Sequence, residues 1–128
     1  MLYIIDGYNL IHRVGILDDC NEDYKEARDS LFTAIDNGFR RRNSKDTSLI
    51  FYDSSMRAGN VQPPSSKYVK IRFAPGISAD SSIFKFLEKL SNEEREKTIV
   101  VSSDEAVRAN AMFLYARTMS AEEFWETI

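Results

Sequence analysis

A chain of 128 residues suits one domain built around one layered core, and we expect a single domain over residues 1–128. Hydrophobic residues make up 43% of the chain and charged residues 29%, which excludes a disordered chain and a fibrous repeat. The 17 basic and 20 acidic residues give a net charge of −3. This balance argues against a generally basic nucleic-acid coat protein but still allows a local basic groove.

The single cysteine and the single histidine exclude two kinds of site. Cys20 cannot form an internal disulfide, and with only His12 available the chain cannot build a Cys/His zinc site. The sequence has no apolar run of about 18 residues, and its first residues reach Asp6 without a signal-type apolar stretch. We therefore expect a soluble, cytoplasmic protein with no membrane partner.

Short apolar runs predict strands, and longer amphipathic stretches predict helices. In chain order these are strand 2–5, helix 23–42, strand 49–52, strand 68–73, helix 81–90, strand 98–101, helix 104–114, strand 116–119 and helix 121–125. We expect Asn21 or Asp19 to cap the first helix. A loop is expected over residues 54–67, where glycine, prolines and serines break both patterns.

The order of these elements indicates the fold class. Strands that alternate with helices favour a mostly parallel sheet between two helical layers, joined by right-handed crossovers. The run 68–73 alternates apolar with basic residues, which is typical of a half-exposed strand near a sheet edge. We therefore predict a three-layer α/β domain with four or five strands.

Four aspartates fall where the predicted strands end or where a helix begins. Asp6, Asp53 and Asp104 follow the first, second and fourth strands, and Asp80 begins the helix after the third. Because the carboxyl ends of parallel strands meet at one edge of a sheet, we expect these carboxylates to lie together. Such a cluster needs a cation, and oxygen ligands favour Mg²⁺ or Mn²⁺, which support phosphodiester hydrolysis. The simpler alternative is helix capping, above all for Asp80 and Asp104.

The segment 6–11, with the sequence DGYNLI, is the most specific motif. Gly7 permits tight backbone beside the acid, and Asn9 is suited to orient a carboxylate, a metal-bound water or a phosphate oxygen. A strand-to-helix turn with Asn9 as its cap is the alternative. His12 is a candidate general base, although packing or capping at a helix start explains a lone histidine better.

Basic and aromatic side chains near these acids are candidates for substrate contact. Arg13 and Arg57 follow the first and second strands, so we expect them on the acidic edge. Tyr8 and Tyr52 flank the acids, and aromatic rings commonly stack on single-stranded bases, although Tyr52 fits the core better. The basic run 40–45 is explained more simply as compensation of a helix dipole.

Three segments together resemble the NYN domain, a branch of the PIN-like nucleases, and within it the bacterial YacP-like group. They are residues 6–11 (DGYNLI), 78–80 (SAD) and 102–104 (SSD), and residues 119–124 resemble the family's closing helix. The resemblance covers essentially the whole chain. It implies a PIN-like parallel sheet, an acidic pocket that holds one or two divalent metals, and endoribonuclease activity on RNA.

The resemblance also assigns roles by position. It implies metal binding by Asp6, Asp80 and Asp104, with Asp53 as the acid after the second strand, Asn9 as the motif asparagine, and Ser102 and Ser103 as small polar residues that line the pocket. From this we expect a Mg²⁺- or Mn²⁺-dependent endoribonuclease that cuts single-stranded or exposed RNA, free or within a larger assembly such as the ribosome.

Ser81 departs from the family's pattern, because many relatives have a glutamate directly after the helix-start acid. One ligand fewer leaves open a second hypothesis, a non-catalytic NYN module that binds RNA or a ribosomal partner. A third is a small-molecule phosphohydrolase using the same acids, which would lack salt-dependent affinity for RNA.

Overall fold

A computed structural model describes residues 1–54, 62–74 and 76–128. In these ranges helices alternate with five strands. The strands are β1 (Leu2–Asp6), β2 (Thr47–Asp53), β3 (Val69–Ala74), β4 (Thr98–Val101) and β5 (Arg117–Met119). The helices are α1 (Gly7–Arg13), α2 (Ile16–Asp19), α3 (Tyr24–Arg41), α4 (Ala79–Lys89), α5 (Asn92–Glu96), α6 (Glu105–Phe113) and α7 (Ala121–Glu126).

The five strands form one parallel sheet in the order β3-β2-β1-β4-β5. Strand β1 is central, with Ile4 beside Leu49 of β2 on one side and Val100 of β4 on the other. Strand β3 lies at one edge of the sheet, as its alternating pattern predicts. The α/β fold with a parallel sheet flanked by helices is confirmed, and all five strands end at the same edge.

Apolar side chains cover both faces of the sheet, because successive residues of a strand point to opposite sides. Ile5 packs in one core with α3 and α7, where Leu31, Phe39 and Phe124 are fully buried. Ile4 packs in the second core, with residues of α4 and α6. Burial on both faces explains why β1 is a continuous apolar run rather than an alternating one.

The first long helix begins later than expected, and its cap differs from the prediction. Asp23 is the N-cap, and its Oδ1 accepts a hydrogen bond from the backbone of Glu26 at 3.1 Å. Asn21 and Glu22 have φ angles of 52° and 62°, so the chain turns sharply there before the helix starts. The prediction of Asn21 or Asp19 as the cap is therefore wrong, since Asp19 already ends α2.

Two short helices, α2 and α5, were not predicted. The sequence does contain a signal for the start of helix α5, a capping box between Ser91 and Glu94. Helix α4 begins two residues earlier than predicted because Ser78 is its cap. Part of the expected loop 54–67 lies outside the described residues. No helix within the described ranges combines the length and the apolar character that crossing a bilayer requires.

Candidate functional site

A cavity of about 200 Å³ opens at the edge where the strands end, and we call it the acidic pocket. It is lined by Asp6, Tyr8, Asn9, His12, Asp53, Ala79, Asp80 and Asp104. The structure thus brings the four aspartates singled out by the sequence to one cavity. Strands β1 and β2 end in Asp6 and Asp53, Asp104 follows β4, and Asp80 lies in the first turn of α4.

The four carboxylates differ in exposure. Asp6 is 5% exposed, Asp53 is half-buried, and Asp80 and Asp104 are exposed. None of the four forms an ion pair with a basic side chain among the described residues. The pocket therefore concentrates negative charge that no described basic side chain pairs with, and its outer wall is open to solvent.

Burial and mutual repulsion disturb the ionisation of two of these acids. Burial raises the pKa of Asp6 to about 6, the hydrogen bond from Ser102 opposes this, and the charges of Asp80 and Asp104 raise it further. The Ser102 hydroxyl donates to Oδ2 of Asp6 at 3.1 Å. Partial burial, followed by the charges of Asp104 and Asp53, also raises the pKa of Asp80. The acids are close enough to interact electrostatically.

Two of the aspartates also support the backbone around the pocket. Asp104 is the N-cap of α6, and its Oδ1 accepts hydrogen bonds from the amides of Ala106 and Val107 at 2.8 and 3.2 Å. Oδ1 of Asp53 accepts a bond from the amide of Ala79, which ties the end of β2 to the start of α4. These bonds engage only one oxygen of each carboxylate.

The capping alternative thus holds for Asp104 but is wrong for Asp80. The Oγ atom of Ser78 accepts the capping bond from the amide of Ser81, and Asp80 lies inside the first turn. Asp80 is therefore not needed to cap the helix that carries it.

The donor set of the pocket limits the kind of metal ion that it fits. No three His, Cys, Asp or Glu side chains in the described part of the chain stand close enough to hold a metal ion by themselves. Mg²⁺ commonly keeps several waters and uses only one or two protein carboxylates. The oxygen donors therefore fit a hydrated Mg²⁺ or Mn²⁺, and they do not fit a cation that needs a complete cage of protein ligands.

Close packing fixes the helix that carries the DGYNLI motif. Gly7 is the first residue of α1, and a Cβ atom there would lie 2.3 Å from Cε1 of Tyr52 and 2.7 Å from Cγ2 of Ile50. Only glycine lets α1 approach β2 this closely. Tyr52 is fully buried, and its hydroxyl has no hydrogen-bond partner within the described residues.

A polar network joins α1, the turn after β4, and α7. The amide of Ser103 donates to Oδ1 of Asn9 at 2.8 Å, and the Ser103 hydroxyl donates to Glu122 at 2.6 Å. The amide of Ala121 donates to that same hydroxyl oxygen at 3.0 Å. The Arg13 guanidinium donates to Glu122 at 2.7 Å, and this bond, with that of Ser103, lowers the pKa of Glu122 to about 2. Helix α7 is thereby fastened to the loop that carries Asp104.

Glu122 is the residue of this network that sequence reasoning missed. It lies 109 residues from Arg13 and 19 from Ser103, so no local pattern connects it to the pocket. Arg13, predicted to contact substrate, is half-exposed and paired with Glu122 rather than lining the acidic pocket. Arg57, the second predicted contact, lies outside the described residues.

His12 lies elsewhere in its helix than the sequence suggested. It is exposed in the last turn of α1, it lines the acidic pocket, and its ring centroid is 4.2 Å from that of Tyr8. The interpretation of His12 as a group that caps a helix start is wrong, because α1 already begins at Gly7. Tyr8 itself is 38% exposed at the pocket wall.

Comparison with known proteins finds a matching sequence family and similar folds. The sequence model of the YacP-like NYN domain matches residues 3–128. The crystal structure of Rae1 (YacP) from Bacillus subtilis is similar, with a TM-score of 0.77 and 24% identity, over 98% of this chain and 72% of that one. A mutant of that protein gives the same TM-score and coverage at 22% identity. These likenesses show a shared fold. No curated protein matches the sequence.

Proposed function

The chain belongs to the YacP-like NYN domain family, whose fold is nuclease-like, and we propose that it is a divalent-metal-dependent endoribonuclease. Its substrate is single-stranded or otherwise exposed RNA. The observation that carries the proposal is the acidic pocket, where four carboxylates from separate elements line one cavity with no basic partner among the described residues. Such an arrangement costs free energy unless it binds a cation.

Asp6, Asp80 and Asp104 are the proposed metal-binding residues, directly or through water. Asp53 assists them through its second oxygen, since its first is bonded to Ala79. A bound Mg²⁺ or Mn²⁺ supplies an activated water and offsets the charge that develops on the phosphate. The pKa of Asp6, at about 6, leaves its carboxylate mostly ionised at neutral pH and available as a ligand.

Neighbouring polar groups position the acids and the substrate. The Ser102 hydroxyl orients Asp6 through its bond to Oδ2. Ser103 holds Asn9, which is proposed to orient the attacking water or a phosphate oxygen. Tyr8, on the pocket wall, contacts the substrate. Arg13 is proposed to contact an RNA phosphate outside the pocket with its exposed guanidinium surface. Arg57, which lies outside the described residues, is likewise proposed to contact an RNA phosphate.

Substitution of Asp104 provides the test, because asparagine keeps the cap of α6 while removing the charge. Replacing a residue that only supports a metal ligand lowers activity by roughly 10- to 100-fold. We expect Asp104→Asn to lower the rate of Mn²⁺-dependent cleavage of a labelled single-stranded RNA by more than this. Asp80→Asn should behave alike. Asp18→Asn, at an exposed position in α2, is the matched control and should cleave like the wild type. Full activity of Asp104→Asn would refute the assignment.

A second candidate, a non-catalytic module that binds RNA or a ribosomal partner, is favoured by one observation. The described residues offer no ready set of three metal ligands, and Ser81 follows Asp80 where an acid would add one. Calorimetric titration with Mn²⁺ separates the two. The nuclease requires a Mn²⁺ site that Asp6→Asn abolishes, whereas the module binds RNA without any such site.

A further inference from the structure

Three neighbouring aromatic rings form an exposed surface, and we call Tyr8, His12 and Tyr24 the aromatic platform. Two of them, Tyr8 and His12, line the acidic pocket, and Tyr24 lies beside them. The rings of Tyr8 and Tyr24 lie nearly parallel, with centroids 5.8 Å apart and planes 14° apart. The ring of His12 is 4.2 Å from Tyr8 and 6.4 Å from Tyr24. Tyr8 and Tyr24 are 38% and 36% exposed.

The platform is assembled from two separate helices. Tyr8 and His12 are four residues apart on α1, so they share one face of that helix. Tyr24 is the first residue of α3, placed by the Asp23 cap, and its hydroxyl lies 3.4 Å from that of Tyr8. The rings are therefore held in place by these contacts, yet they remain open to solvent.

We propose that the aromatic platform stacks an unpaired nucleobase of the RNA whose phosphate enters the acidic pocket. The proposal rests on the proposed function and narrows its substrate class. Aromatic faces accept the face of any base, which gives affinity without sequence preference. In a duplex each base face is covered by its neighbours, so the platform selects RNA that is locally unstacked. Tyr8 and His12 line the pocket itself, which places the stacked base beside the phosphate.

Tyr24 allows a test that leaves the carboxylates untouched. The probes are a fluorescent single-stranded RNA oligonucleotide and an abasic ribose-phosphate chain of equal length, with binding measured by anisotropy in EDTA at low salt. We expect Tyr24→Leu to bind the base-containing probe about 5- to 100-fold more weakly than the wild type does. Its affinity for the abasic chain should not change. Tyr24→Phe keeps the ring and should bind both probes as the wild type does.

Tyr115→Leu is the matched control, because Tyr115 is 82% exposed in the turn after α6, at the opposite edge of the sheet. It should bind both probes normally. Tyr8→Leu is a second platform variant, in case Tyr24→Leu lowers the melting temperature. Unchanged binding by both platform variants would overturn the proposal, as would equal wild-type affinity for the two probes or no binding of either.

Cleavage is measured separately with Mn²⁺, so the two proposals can fail independently. A wild type that cuts RNA, together with platform variants that bind it normally, refutes the platform and keeps the nuclease. A wild type that cuts nothing, together with base-dependent binding that Tyr24→Leu weakens, refutes the nuclease and supports the platform.

Discussion

Replacing Asp6 with asparagine tests whether the acidic pocket holds unfavourable charge when no cation is bound. Burial raises the pKa of this carboxyl from its ordinary value of 3.8 to about 6. A difference of this size corresponds to about 3 kcal/mol lost from the free energy of unfolding once Asp6 ionises. Asparagine is nearly isosteric, stays neutral and can still bond to Ser102, so Asp6→Asn should recover most of that free energy at neutral pH.

The direction of the change in stability with pH follows from how many protons the folded and unfolded states bind. The pKa in the folded state exceeds that in the unfolded state, so the folded state binds more protons between about pH 4 and pH 6. The wild type should therefore lose stability as the pH rises through this interval, and Asp6→Asn should lose less. Above about pH 7 the variant should be about 3 kcal/mol more stable, with a melting temperature about 10 °C higher.

Urea unfolding in EDTA, from about pH 4 to about pH 8, measures this difference directly. Asp18→Asn, an exposed control, should follow the wild-type curve throughout. A stability difference between Asp6→Asn and wild type that does not change with pH would refute the reasoning. Mn²⁺ added in excess of the EDTA should stabilise the wild type and leave the stability of Asp6→Asn unchanged, because a ligand stabilises only the state that binds it.

Three further substitutions test the surroundings of the pocket. Gly7→Ala should lower the free energy of unfolding in urea by about 1–3 kcal/mol or more, because the added Cβ would overlap the Tyr52 ring. An unchanged urea midpoint would contradict this packing. Tyr52→Phe should raise the free energy of unfolding by about 1 kcal/mol, since it removes an unpaired buried hydroxyl, and a clear loss would show that the hydroxyl is bonded. Glu122→Gln should be less stable than wild type above about pH 4.5, and their urea midpoints should converge as the pH falls towards about 2, because the pKa of Glu122 is lowered. Midpoints that stay apart at low pH would contradict a stabilising role of the ionised Glu122 carboxylate.

The sheet and the gathering of acids could be predicted because each follows from a local pattern. Continuous apolar runs predicted the central strands, and alternation in residues 68–73 predicted the edge strand β3. Parallel strands end at one edge, so the positions of Asp6, Asp53 and Asp104 after their strands were enough to expect a shared cavity.

The remaining features depend on contacts between distant residues, which leave no periodic signal. Glu122 reaches Ser103 and Arg13 because α7 packs against α1 and is bonded to the turn after β4, and nothing around residue 122 indicates this. The sequence alone suggests that His12 lies at a helix start, whereas in the structure α1 already begins at Gly7. Helix α2 spans only four residues, too few for an amphipathic pattern to emerge.

The bond between Ser103 and Asn9 decides which end of the Asn9 carboxamide is available to other molecules. A backbone amide can only donate, so the atom it meets must be the carbonyl oxygen, and the orientation of the side-chain amide follows without ambiguity. The NH₂ group is then the end left to contact a bound molecule, with two hydrogens to give. Asn9 lines the pocket, so under the proposed function its NH₂ group would offer an RNA phosphate a donor beside the pocket's own carboxylates.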